Sequence, residues 1–143
     1  MKRTLATAFV VSALVGAGAT SAVFSRGGDD GPGGLDVARA YVDGMSNADF
    51  RQACESLAPS LVGGTGPKNL QNCALGYAQL AVYAGYEFST LRVKDSTYTE
   101  NGDKAKVELW YDTMGGDGQP TPVRLRATLE RLPDIGWRVV ELS

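Results

Sequence analysis

The hydrophobic period of the chain changes near residue 90, and that change limits the folds open to it. Upstream, apolar residues recur at helical spacing. Ala38, Tyr41, Val42 and Met45 share one side of a helix in LDVARAYVDGMSNA, and Leu70, Cys73, Tyr77, Leu80, Ala81 and Ala84 share one further on. Downstream, apolar and polar residues alternate. In DKAKVELWYDT, Ala105, Val107, Leu109 and Tyr111 oppose Lys104, Lys106, Glu108 and Asp112; in TPVRLRATLER, Val123, Leu125, Ala127 and Leu129 oppose Arg124, Arg126, Thr128 and Glu130. Such alternation marks half-buried antiparallel strands. Helices followed by a run of strands predict an α+β fold, with N-terminal helices packed on a curved antiparallel sheet of about four strands.

Local signals divide these segments. Asp49, followed three residues later by Gln52, has the form of a capping box opening a short second helix. Pro59 and VGGTGP break the chain, Pro67 stands at a first helical position, and Gly85 is placed to cap the end of the third helix. A turn around Asn101-Gly102 joins the strand in STLRVKDSTYT to the next. Residues 114–122, MGGDGQPTP, read as a long inter-strand loop, and a turn from Pro133 to Gly136 precedes the closing GWRVVEL. GGTGPK, at residues 63–68, lacks the spacing of a phosphate-binding loop and reads as a loop before a helix.

The N-terminus speaks about location. Lys2 and Arg3 precede an uncharged run from Thr4 to Ser25, with small-residue triplets near its end, which is the layout of a secretory signal peptide over residues 1–22. An uncleaved anchor is the alternative, since about twenty uncharged residues can span a bilayer. Residues 23–34, rich in glycine and aspartate, read as a flexible linker, and residues 35–143 as the domain proper. Without Lys2 and Arg3, 12 basic residues face 16 acids. A mildly acidic body has no electrostatic footprint for nucleic acid or for anionic lipid, so any membrane attachment would run through the N-terminal segment alone.

Export decides how Cys54 and Cys73 are read. In an oxidising compartment the two cysteines of a small domain form a bridge, and only one pairing exists. Cys54 falls on a helical face with Phe50, Ala53 and Leu57, and Cys73 on one with Leu70, Ala74, Tyr77 and Leu80, so both point into a helix–helix interface. Two buried free thiols are the alternative. A metal site is not expected, because the chain has no histidine and no third cysteine. No cofactor is expected either.

The opening VARAYVDGMSNADFRQACESL, the paired strands KAKVELWYD and VRLRATLER, and the closing GWRVVELS together resemble the nuclear transport factor 2-like superfamily. The resemblance covers residues 35–143. It implies a cone, in which a strongly bent antiparallel sheet wraps helices and leaves a pocket at the open end. The family holds enzymes, such as ketosteroid isomerases and scytalone dehydratases, beside many non-catalytic binding or assembly domains. No stretch here matches a catalytic motif of the family, and the histidine on which dehydratase-type members lean is absent. Isomerase-type chemistry needs an aspartate base and a hydrogen-bond donor pair in an apolar pocket. Tyr41, Tyr77 and Tyr111 fall on inward stripes, whereas Asp43, Asp95 and Asp112 fall on polar faces or near turns.

The expected function is therefore an exported, non-catalytic binding domain of the cell envelope or extracellular space, whose partner is a protein or a small apolar ligand. An isomerase- or dehydratase-like enzyme using tyrosine and aspartate is the first alternative, and a structural spacer or assembly domain the second. Tyr41, Met45, Tyr77, Leu109 and Tyr111 are the candidate pocket lining. Trp110, an indole on the charged face of its strand, and Asp117, in the 114–122 loop, are the candidate partner contacts. For Trp110 the competing reading is packing on arginine stems of a neighbouring strand. The mixed charge of that face argues against a broad apolar sheet-to-sheet dimer.

Overall fold

The computed structural model describes residues 31–143. The expected signal peptide or anchor, and most of the expected linker, lie outside the described residues. Four helices come first: α1 (Gly34–Ser46), α2 (Phe50–Glu55), α3 (Pro59–Val62) and α4 (Pro67–Thr90). Four strands follow: β1 (Arg92–Asn101), β2 (Lys104–Met114), β3 (Pro120–Leu132) and β4 (Gly136–Leu142). They form an antiparallel meander in the order β1-β2-β3-β4. Gly34–Ser143 is one compact unit, and the α+β order read from the change of period is the order observed.

The alternating stripe of the strands becomes the inner face of the sheet. Ala105, Val107 and Leu109 of β2, Ala127 and Leu129 of β3, and Trp137 and Val139 of β4 are buried. They pack with Val37, Ala38, Tyr41, Val42 and Met45 of α1, which lies against all four strands. The outer face carries ion pairs between neighbouring strands, Arg124 to Glu108 at 3.6 Å and Lys104 to Glu130 at 3.9 Å. Pairs of this exposed kind contribute ~0–1 kcal/mol each, so the inner face holds the sheet. Two register shifts interrupt the ladder, one in β1 between Lys94 and Thr99 and one in β4, where Thr128 pairs with Glu141 and Leu129 with Val139. At the first, the Glu108 N–H donates to Thr97 Oγ1 at 2.8 Å, so a side chain replaces the missing backbone acceptor.

Several local expectations are corrected. Gly85 does not end its helix. Ala84 departs from helical geometry, the helix resumes, and it runs on to Thr90 because Phe88 packs into the aromatic cluster below. The capping box is half made: Asp49 Oδ1 accepts the Gln52 N–H at 3.2 Å, but the Gln52 amide turns away and donates to Ala40 O at 2.9 Å. The break at Pro59 holds a short helix, α3, capped by Gly63 in the left-handed region. The first hairpin loop is Gly102-Asp103, one residue later than expected, with Asn101 paired to Lys104. The 114–122 loop shrinks to residues 115–119, since Met114 and Pro120 are already paired. One feature had no sequence signal. Residues 56–58 pair beside β4, where Val139 N–H donates to Ser56 O at 2.9 Å and Ala58 N–H to Val139 O at 2.8 Å.

Candidate functional site

Four rings meet between the sheet and α4. Tyr41 of α1, Phe50 of α2, and Tyr77 and Phe88 of α4 contact one another with centroids 6.1–6.4 Å apart, mostly edge to face. Aromatic pairs prefer this geometry because the positive edge of one ring meets the negative face of the next. The two tyrosine hydroxyls are 3.0 Å apart and hydrogen-bond to each other. Burial, then the neighbouring Tyr77 hydroxyl, raises the Tyr41 hydroxyl above its ordinary range. It stays a neutral phenol.

The candidate pocket residues are thus brought together, but by packing. Tyr41, Met45 and Leu109 are buried in the core, and Tyr77 and Tyr111 pack against it. Among the described residues no aspartate or glutamate is buried, and Ser56 is the buried polar residue. Asp43 and Asp95 are exposed, and Asp95 accepts from Arg39 at 2.6 Å. Asp112 is half-buried and holds Arg92 at 3.2 Å. Among the described residues no carboxylate acts on the Tyr41 hydroxyl. Among the described residues no three His, Cys, Asp or Glu side chains cluster as metal ligands would.

The two partner-contact candidates are engaged within the chain. Trp110 donates its indole N–H to Glu108 at 3.2 Å, lies under the Lys94 ammonium at 5.6 Å, and is paired in register with Arg124. Asp117 accepts the Gln119 N–H at 3.0 Å, in a loop also closed by Gly115 N–H to Gln119 O at 2.9 Å. At Trp110 the cation and the indole of neighbouring strands pack on each other.

Cys54 and Cys73 form the disulfide, with Cα atoms 6.1 Å apart, and it ties α2 to α4. Beside it, between the start of α2 and α4, a shallow cleft is lined by Phe50, Arg51, Gln71, Ala74, Leu75 and Ala78, with Ala48 and Asp49 at one end. None of the expected pocket residues lines it. The outer side of α4 continues from this cleft and is apolar. Tyr83 is 89% exposed, Val82 78%, Leu75 and Leu80 54% each and Tyr86 40%. The sequence carried a sign of this surface, because no charged residue occurs between Lys68 and Glu87. A one-sided stripe had been expected, and α4 is apolar on both sides. None of the described helices is long and apolar enough to cross a membrane.

No family model matches the sequence, and no curated protein matches it. Among solved structures, a SEC-C motif-containing protein from Rhodopseudomonas palustris is 16% identical, with 75% of this chain and 74% of that chain covered and a TM-score of 0.49. A Campylobacter jejuni protein named for an NTF2-like transpeptidase is 14% identical over 75% of this chain and 96% of its own, with a TM-score of 0.47. A Streptomyces avermitilis protein named for a dehydratase of the NTF2-like family is 18% identical over 76% and 93%, with a TM-score of 0.42. Two of these three structures carry the name NTF2-like.

Proposed function

We propose that this is an exported, non-catalytic interaction domain of the cell envelope or extracellular space, and that it meets its partner with its outer surface. The observation that carries this reading is the packing of the candidate pocket residues. Where an isomerase-like site would need a carboxylate facing a phenol in an open apolar pocket, the hydroxyls of Tyr41 and Tyr77 bond to each other and the other candidates pack in or against the apolar core. The exposed apolar surface lies instead on α4. Export is supported by the basic start, uncharged run and small-residue triplets of the N-terminus, and by a disulfide, which persists where thiols are oxidised.

Native mass spectrometry of the protein recovered gently from the expressing cell, with and without reduction, tests the reading. The expected result is a chain lacking its N-terminal segment or held at the membrane by it, bridged, and carrying no small molecule. A full-length chain in the cytosolic fraction with free thiols would sink the export half. Extra mass of a few hundred daltons that survives gentle purification would sink the outer-surface half and reopen the enzyme reading.

A further inference from the structure

The outer side of α4 is built to be covered. Helical adjacency at three and four residues puts Leu75, Ala78, Gln79 and Val82 along one seam, with Tyr83 flanking it and Tyr86 just past the kink at Ala84. Taking about 200 Å² for a fully exposed large side chain, the exposed fractions of Leu75, Val82, Tyr83 and Tyr86 leave on the order of 500 Å² of apolar surface. Monomers rarely expose more than roughly 300–600 Å² in one patch. Gly76, Ala78 and Gln79 extend the face toward the ~800 Å² per partner of a standard interface.

We propose that a second copy of this chain covers this face, its α4 packing antiparallel against the first about a two-fold axis. The proposal names the partner of the interaction domain and rests on that reading. Three observations favour a second copy. The seam has no charge, so an isologous interface, which sets one patch against a copy of itself, meets no like-charge repulsion there. The outer face of the sheet, by contrast, is a lattice of charges. A membrane surface fits less well, because helices that lie in lipid headgroups carry Lys or Arg on their polar flank and α4 has no basic residue after Lys68. Finally, the seam is complementary to itself. An axis midway between Gln79 and Val82 sets Leu75 of one copy level with Tyr86 of the other, small Ala78 level with large Tyr83, and Gln79 level with Val82. At 1.5 Å per residue this overlap spans ~16 Å, about three turns.

The same register supplies the test. Val82 is exposed, so Val82→Glu leaves the fold intact, which circular dichroism checks, while setting two carboxylates near the axis. Sedimentation equilibrium on the chain as recovered from the expressing cell should find a dimer for the wild type. The V82E variant should be weakened roughly a hundredfold, since like charges facing each other across an interface are strongly disfavoured. Adding Gln79→Arg should restore the dimer, because residue 79 of one copy faces residue 82 of the other. A monomeric wild type, a dimer indifferent to V82E, or a V82E monomer that Q79R fails to rescue each overturns the proposal. A wild-type monomer that floats with phosphatidylglycerol vesicles, where V82E does not, assigns the face to lipid and also overturns it. A monomer removes the second copy but leaves the interaction reading standing, whereas a small molecule carried in the interior removes the reading.

Discussion

Gly44 has no room for a methyl group. A Cβ there would stand 2.6 Å from Ala53 N and 2.8 Å from Asp49 O, both backbone atoms of the segment that leads into α2. Backbone cannot swing aside as a lysine tip can, so α1 and α2 would have to separate. Gly44→Ala should cost about 2–3 kcal/mol, the upper range for an overpacked core, read as a fall in the denaturant midpoint at unchanged slope. Four residues on, Ala48 shows the opposite fault. Its φ of 61° is the left-handed conformation, taken because α1 ends with Asp49 N–H donating back to Gly44 O at 2.7 Å. This ending is usually made by glycine, and a Cβ in that region costs roughly 1–2 kcal/mol. Ala48→Gly should therefore stabilise the domain by ~0.5 kcal/mol after the greater freedom of glycine in the unfolded chain is subtracted. A lowered midpoint in Ala48→Gly would refute this account of the turn.

α4 is a long helix with no fully buried residue, held by one stripe and one covalent tie. Its inner contacts are Cys73, Tyr77 and Phe88, whereas α1 buries seven residues. The disulfide closes a loop of about twenty residues, which corresponds to ~3 kcal/mol when the unfolded chain is constrained. Reduction should lower global stability by about that amount. It should also act locally: amide exchange in α4 should quicken far more than in β2 or β3, whose ladders are anchored in the core. Equal acceleration across all elements on reduction would show that the bridge restrains the whole fold and not α4. The helix termini also separate what is local from what is not. Pro67 opens α4 where its ring angle suits a first turn, but the glycine expected to close it is overridden by the packing of Phe88 on Phe50 and Tyr77.

At the scale of the whole molecule, α1, α2 and the four strands share one core, and alkaline pH reaches it through two phenols. Tyr41 is raised first by burial and then by its bond to Tyr77, and Tyr98 by burial and then by its hydrogen bond to Glu100 at 2.6 Å. Both hold their protons in the folded chain to a higher pH than in the unfolded one, where tyrosine titrates near ~10. Their contribution is thus complete below about pH 10 and lost as pH climbs towards their native titration. For Tyr41 the loss approaches ~1.4 kcal/mol per pH unit above that point. Melting temperatures measured from neutral to strongly alkaline pH should fall, and Tyr41→Phe should flatten the fall while costing about 1 kcal/mol at neutral pH for the lost hydrogen bond. An unchanged slope in Tyr41→Phe would place the alkaline sensitivity elsewhere.

The fold class, the core stripes of β2 and β3 and the cysteine pairing were legible in the residues, because each depends on periodicity or on counting. Val107, Leu109, Ala127 and Leu129 are buried in the structure as their alternation required, and two cysteines admit a single bridge. Only tertiary structure sets whether the inward positions line a cavity or pack together. That depends on how completely rings from three helices fill the space above the sheet, and a one-dimensional pattern of apolar positions reads the same for a lined cavity and a packed one. The pairing of residues 56–58 with β4 was hidden for a similar reason, since a single backbone bridge between segments some eighty residues apart carries no side-chain signature. The outer face of α4 was visible as a run without charge, but only the packing of its inner stripe against α2 and the sheet determined which residues were left over to face outward.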